Sequence, residues 1–568
     1  MTTLKEYQYH RPDFESLSTR ITGLTASLKV AETVALANQI IDDYLKLSNN
    51  IDTMYNLAAI RFSINMDDAF YKAEDDYWNE FGPKFGELSS EFSRILIESP
   101  LKAELEAHYP QTMFLLAESE VKSFNNQIVE LKQLENQLST QYNELIGSAQ
   151  IEFQDGVYTL PQMTQFTSDQ NREVRRSANE AVTAWYVDNE QEFDSIYDEL
   201  VKNRHAQALK MGFKNYAEMS LYFRQRFGYN LQDIAAYRQQ ILEKVVPVAQ
   251  KLYQRQAKRN QLSKPMYYDW SLVFPDGNAK PIGKTEEKVA IAQKMYHELS
   301  SETGEFFDFL VEHQLLDLDS KKGKQSGGYC TYIYDYQSPF IFANYNGTSG
   351  DVDVLTHEAG HAFQVYTSAK KIRDANLIWP TIEAAEIFSM SMEFITWPWM
   401  NSFFGDATLK YQFSHLSDAL LFLPYGVLVD HFQQEVYEKP QLSPEERKKL
   451  WRKLEKMYLP HKDYTESADL ERGIYWYRQG HIFDVPFYYI DYTLAQVVAF
   501  QFWQRIIVEK DPNAWTDYLK IAEVGGTKTF LEILEMAHLK NPFEAGALDN
   551  SISAISNYLD AISEAELS

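Results

Sequence analysis

The run His357-Glu358-Ala359-Gly360-His361 constrains this chain more than any other feature. An H-E-x-x-H sequence has chemical meaning on a helix, where residues four apart share a face. There, two imidazoles can meet one ion at roughly 2.0–2.1 Å. The flanks read as such a helix. Asp351-Val-Asp-Val-Leu-Thr356 leads in, Ala362-Phe-Gln-Val-Tyr366 follows, and Asp351 or Asp353 is the expected cap. Glu358 lies three residues before His361 and so flanks the same ion without ligating it. That position suits a general base acting on a metal-activated water. The bland alternative is a fortuitous pair of helical histidines, which a helical context and a third ligand would both disfavour.

A catalytic zinc needs a third protein ligand and an open position. Thr381 to Glu393 reads as a second helix and offers Glu383, Glu386 and Glu393. Spacing leaves all three open, since Glu383 and Glu386 stand one turn apart. The helix is apolar for its acidity, so an inward carboxylate needs a partner, and a metal is a good one.

The rest of the chain reads as mainly helical. Its 23 glycines and 19 prolines in 568 residues fall below averages of about 7 % and 5 %, and both residues cost helix stability. Leu28–Ile41 carries apolar residues at helical intervals, and Met113–Leu145 forms one long heptad-like stretch. Ile151–Leu160 reads as a hairpin turning at Asp155-Gly156. Ser443-Pro444-Glu445-Glu446 is a capped helix start. Ahead of the motif, Lys321–Gly328 reads as a mobile loop. Tyr329–Tyr334 and Pro339–Asn344 read as short strands. The second is a candidate edge strand whose Ala343 and Asn344 would hold a substrate backbone by β-augmentation.

A net charge of −27 argues against nucleic acid and against anionic membrane as partners, because both need a basic footprint. No apolar run approaches the ~18 residues that span a bilayer. Cys330 is the single cysteine, and the first ten residues hold no signal-peptide core. Cytoplasmic location is the expectation. Cys330 reads as strand packing, and His431 with Glu435 reads as an ion pair or cap. Gly480–Leu494 gathers His481, Tyr488, Tyr489 and Tyr492; aromatic clusters of this kind are usually packing.

The motif, Glu386 at 29 residues beyond His357 (386 − 357), and the pattern Glu386-x-x-Ser389-x-x-x-Glu393 together resemble the metallopeptidase family of thimet oligopeptidase and oligoendopeptidase F. Ile387-Phe388 stands where the thimet branch has Ala-Pro, which favours the oligoendopeptidase branch. Asp169–Arg175 and Arg204–Tyr216 are also similar, so the resemblance runs from about residue 110 to the C-terminus. It implies zinc (Zn2+, one per chain) on His357, His361 and Glu386, with Glu358 as base. It further implies that Tyr492, His481 and then Tyr489 face the scissile carbonyl, while Tyr488 packs.

The resulting expectation is a mainly α fold of two helical lobes around a deep channel, with a small sheet beside the zinc helix. Residues 1–110 would form an N-terminal helical region, 111–200 a helical lobe with a hairpin, and 201–568 the catalytic domain. The expected activity is internal cleavage of short unfolded peptides. The alternatives are a carboxypeptidase or dipeptidase on a similar fold, a zinc-bound peptide-binding protein without turnover, and a helical interaction protein with a chance motif. The sequence leaves cleavage preference and oligomeric state open.

Overall fold

Side-chain caps open several helices of this chain. In the computed structural model, which describes residues 2–567, Asp13, Thr33 and Asp68 each accept a backbone N–H. They open the long N-terminal helices Phe14–Lys29, Val34–Ile64 and Ala69–Glu98, which pack on one another. Thr33 thus splits the Leu28–Ile41 stretch that periodicity alone reads as continuous. The Met113–Leu145 stretch is also two helices, Gln111–Ser123 and Val129–Gly147. Between them Asn125 accepts from the Gln127 amide; asparagine stabilises a new helix start better than a helix interior. Ser443 forms the expected capping box with Glu446.

Strands are few. The hairpin pairs β1 (Ile151–Phe153) with β2 (Gly156–Tyr158), and Phe153 faces Gly156. The turn is therefore Gln154-Asp155, one residue earlier than expected, with Gln154 at φ 50°. Thr159 ends the strand by capping the helix Leu160–Thr167.

The second sheet holds β3 (Leu316–Asp319), β4 (Tyr329–Ile333) and β5 (Ser338–Tyr345) in the order β3-β5-β4. β5 is parallel to β3 and antiparallel to β4. This corrects the expectation for Ala343 and Asn344: their strand is the central one, not an edge. The Ala343 carbonyl accepts from Lys324 Nζ at 2.5 Å, and Asn344 Nδ2 donates to the Gln325 and Gly327 carbonyls. The physical reason is composition, since nearly every β5 side chain is buried, as a central strand requires. The edges are β3 and β4. Lys324 also corrects the mobile-loop expectation. It is 8 % exposed and its ammonium bonds the Asp317 and Asp319 carbonyls, pinning the loop to the sheet.

Three helices build the centre of the molecule. The motif helix spans Gly350–Ala369, the carboxylate helix Ile382–Ile395 and the tyrosine helix Tyr489–Trp503. The carboxylate helix packs between the other two. Gly360 is what lets the first pair approach: a Cβ there would stand 2.4 Å from the Phe388 carbonyl oxygen and 2.7 Å from Ser389 Cα. The helix Thr408–Glu438 packs against the tyrosine helix and carries Tyr411 and His415 towards the same centre. Among the described residues no helix is long and apolar enough to cross a membrane.

Candidate metal centre and active site

The motif helix begins at Gly350, so Asp351 and Asp353 lie in its first turn instead of capping it. Asp351 accepts from the Asn346 and Gly347 amides and pairs with Lys288 Nζ at 2.6 Å, which fixes the turn that enters the helix. Asp353 is tied to the Tyr411 hydroxyl at 2.6 Å.

His357, His361 and Glu386, the set implied by the family resemblance, lie together. Both imidazole Nε2 atoms lie 3.4 Å from Glu386 Oε2. Ligands of a tetrahedral ion at ~2.1 Å would be spaced about 3.4 Å apart, so this donor set fits zinc in both chemistry and size. Burial alone would raise the Glu386 carboxyl, but the two imidazoles outweigh it and hold it well below the usual range. Ser389 Oγ donates to Glu386 Oε2 at 2.9 Å, one turn along the same helix.

Glu393 does a different job. Its Oε1 meets His357 Nδ1 at 2.7 Å and its Oε2 meets His415 Nε2 at 2.7 Å. Trp397 Nε1 in turn donates to His415 Nδ1 at 3.0 Å. This carboxylate therefore orients the His357 ring from behind and leaves its Nε2 facing Glu386. Burial opposes the charge on Glu393, yet the two rings hold its carboxyl down at about 2. Glu383, the remaining candidate, faces away and accepts from Tyr229 at 3.1 Å. Sequence reasoning passed over His415, which no local motif marks: it lies 22 residues beyond Glu393 on another helix.

Glu358 is 7 % exposed, and burial raises its carboxyl. It lies near Gly328, the residue before β4, where a Cβ would sit 3.6 Å from Glu358 Oε1. The edge strand and the general-base candidate are neighbours.

The aromatic segment closes the site from the opposite side. His481 packs edge-on against Tyr489 and Tyr492, with centroids 4.8 and 6.2 Å away. Tyr488 does more than pack: its hydroxyl lies 3.4 Å from Glu386 Oε1. Burial and the nearby Glu386 raise the phenols of Tyr488 and Tyr492, keeping them as O–H donors. The His481 tautomer follows from a chain of contacts. The Tyr425 hydroxyl donates to Gln479 Oε1 at 2.6 Å, so the Gln479 amide nitrogen faces His481 Nδ1 at 2.9 Å and donates to it. The ring proton is then on Nε2. Burial, with Arg224 nearby, lowers His481 and keeps it neutral. A cavity of about 460 Å³ separates these groups from Glu393 and His415.

Other candidates resolve simply. His431 Nε2 lies 3.9 Å from Glu435, which Lys439 engages at 2.5 Å. Cys330 is half-buried in β4, and burial raises its thiol. A cluster of Glu190, Asp194 and Glu445 has donor spacing, but Lys448 Nζ already occupies it, 2.9 Å from Asp194.

A partly buried two-histidine, one-carboxylate set with a glutamate on the same helix has the make-up of a metallohydrolase centre. The particular family follows from comparison with known proteins. The signature of peptidase family M3 matches residues 165–551, and that of the M3 N-terminal domain matches residues 4–124. The chain belongs to peptidase family M3. PZ peptidase A, solved with an inhibitor, is 46 % identical with TM-score 0.92 over 100 % of both chains. A Bacillus anthracis protein assigned as an oligoendopeptidase F is also 46 % identical, with TM-score 0.88 over 100 % of both chains. An oligoendopeptidase F homolog of Borreliella burgdorferi is 24 % identical over 261 residues, 44 % of this chain and 43 % of that protein, so the match spans under half of that relative's length. The mainly α fold with small sheets is thus that of oligoendopeptidase F structures.

Proposed function

We propose that the chain is a zinc-dependent oligoendopeptidase that cuts internal bonds of short unfolded peptides. The observation that carries this reading is the pair of 3.4 Å separations between Glu386 and the two motif imidazoles, with Glu358 on the same helix. Zinc held by His357, His361 and Glu386 would supply Lewis acidity towards a water and the scissile carbonyl.

The chain's own residues do the rest. Glu358 takes a proton from the attacking water and passes it to the leaving amine. Its burial beside an apolar sheet raises its basicity for the first transfer. The His481 Nε2–H and the Tyr492 hydroxyl donate to the oxyanion as it forms, and Tyr489 shapes the ring wall beside them. Tyr488, nearer Glu386, orients that ligand. The substrate backbone is assigned to the free edge of β4 around Gly328 and Tyr329, in place of Ala343 and Asn344, because this edge adjoins Glu358. Nothing in the site calls for nucleic acid or membrane; the partners are short peptides, and the lone cysteine fits a reducing cytoplasm.

The test is cleavage of an internally quenched peptide capped at both ends. Chelation should abolish cleavage and added zinc should restore it. Cleavage only of peptides with a free C-terminus would replace this reading with an exopeptidase, and chelator-insensitive cleavage would remove the metal from it.

A further inference from the structure

The cavity of about 460 Å³ lies on the His357 flank of the centre, since Glu393 lines it. A second cavity, of about 490 Å³, lies on the His361 flank. Trp379 lines it with its ring centroid 6.0 Å from that of His361. Thr381, immediately before the carboxylate helix, lines it as well. The facing wall comes from the N-terminal helices through Tyr44, Phe92 and Met113. Trp379 is therefore the side chain that stands between this space and the proposed reaction centre.

Its polar content is one-sided. Asp374 and Glu120 line it, and no lysine, arginine or histidine does. Asp374 is 8 % exposed; its Oδ1 accepts from the Asn376 amide, while Oδ2 has no partner. Glu120 is met by the Ser93 hydroxyl at 2.7 Å. Thr112 and Thr381, 3 % and 8 % exposed, line the same space with hydroxyls that have no partner. Several other buried carboxylates of this chain meet a cation: Glu135 with Arg204 at 2.6 Å, Asp430 with Arg238 at 2.5 Å, Asp269 with Arg175 at 3.0 Å. Leaving a carboxylate buried without a cation is costly. Burial accordingly pushes Asp374 up to about 6 and raises Glu120.

We propose that this cavity is a substrate subsite for a basic group of the peptide, an ammonium or guanidinium held by Asp374 and Glu120, with the Thr112 and Thr381 hydroxyls as further acceptors. The inference rests on the peptidase reading, which it deepens by naming the substrate class. The incoming cation supplies the charge that the two carboxylates lack, and the surrounding rings of Trp379, Tyr222 and Phe223 suit both its hydrocarbon stem and its charge.

The experiment moves a single lysine, position by position, through a peptide capped at both ends, each time against norleucine, which keeps the stem and drops the charge. A parallel pair, free or acetylated at its N-terminus and lacking lysine, separates the α-ammonium from the side chain as the source. At one position, or with the free amine, kcat/KM should rise about tenfold or more, mainly through KM, as a charge-assisted hydrogen bond would give. In Asp374→Asn and Glu120→Gln the ratio within each pair should fall towards one. Because each ratio is taken within one variant, partial misfolding does not mimic the result. Ratios near one for every wild-type pair, or ratios unchanged in both variants, would overturn the subsite. If no capped peptide is cleaved, the peptidase reading fails separately. The same pairs are then titrated by fluorescence anisotropy, where a tenfold Kd preference for the charged peptide upholds the cavity and equal Kd values dismiss it.

Discussion

The two walls of the candidate site are held by different forces. On the motif side, two of the three proposed ligands are fixed by a further hydrogen-bonding group, while His361 Nδ1 is buried without a partner: Ser389 holds Glu386, Glu393 holds His357, His415 holds Glu393, and Trp397 holds His415. Two helices in near-backbone contact at Gly360 carry most of this. On the aromatic side, the groups are set mainly by ring packing across a cavity, such as Tyr488 against Tyr492 at 4.9 Å and His481 against Tyr489 at 4.8 Å. Hydrogen-bonded chains fix angles; ring packing fixes position while leaving hydroxyls free to turn towards a substrate. The contrast teaches that metal binding and oxyanion stabilisation should be separable by mutation.

Glu358 tests that separation hardest, because it sits on the metal-side helix but is assigned no ligand role. Glu358→Gln should lower kcat by about 10³-fold or more while metal analysis still finds the wild-type zinc content. Loss of zinc together with turnover would break the distinction. Tyr492→Phe and His481→Gln should each cost about 10²–10³-fold in kcat with zinc affinity unchanged. A change confined to KM would mean that these groups bind substrate without serving the transition state. Glu393→Gln should show the opposite signature: zinc affinity weaker by about 10–100-fold in a chelator competition, with kcat largely recovered at saturating zinc. Gly360→Ala, which forces a methyl against the Phe388 carbonyl, should cost about 1–3 kcal/mol of stability in a denaturant titration. An unchanged midpoint would show that the two helices can part without penalty.

The same contrast explains what the sequence made legible. The H-E-x-x-H spacing reports a helix face directly, so His357, Glu358 and His361 could be read from five residues. The carboxylate helix offered three glutamates, and family resemblance was needed to choose Glu386, because helical spacing says nothing about which face a distant helix will receive. Glu393 was visible as a candidate but its backing role was not, since that depends on His415 from a third helix. Tyr488 was read as packing because adjacent tyrosines look alike in sequence; only the turn that starts the tyrosine helix aims its hydroxyl at Glu386. The central place of β5 has the same origin: its partner β3 lies before β4 in the chain and lacks aromatic or β-branched residues, so nothing local marks the strand that covers the second side of β5. The capped helices, in contrast, were limited mainly by local breaks such as Thr33 and Asn125, whose side chains compete for backbone amides over distances too short for periodicity to register.

Anomalous scattering at the zinc edge from crystals of the zinc-loaded protein would locate the metal itself. One strong peak is expected, bonded at ~2.1 Å to His357 Nε2, His361 Nε2 and a Glu386 oxygen, with Glu358 outside bonding distance. A peak elsewhere, no peak, or Glu358 in place of Glu386 as the third ligand would contradict the proposed ligand set.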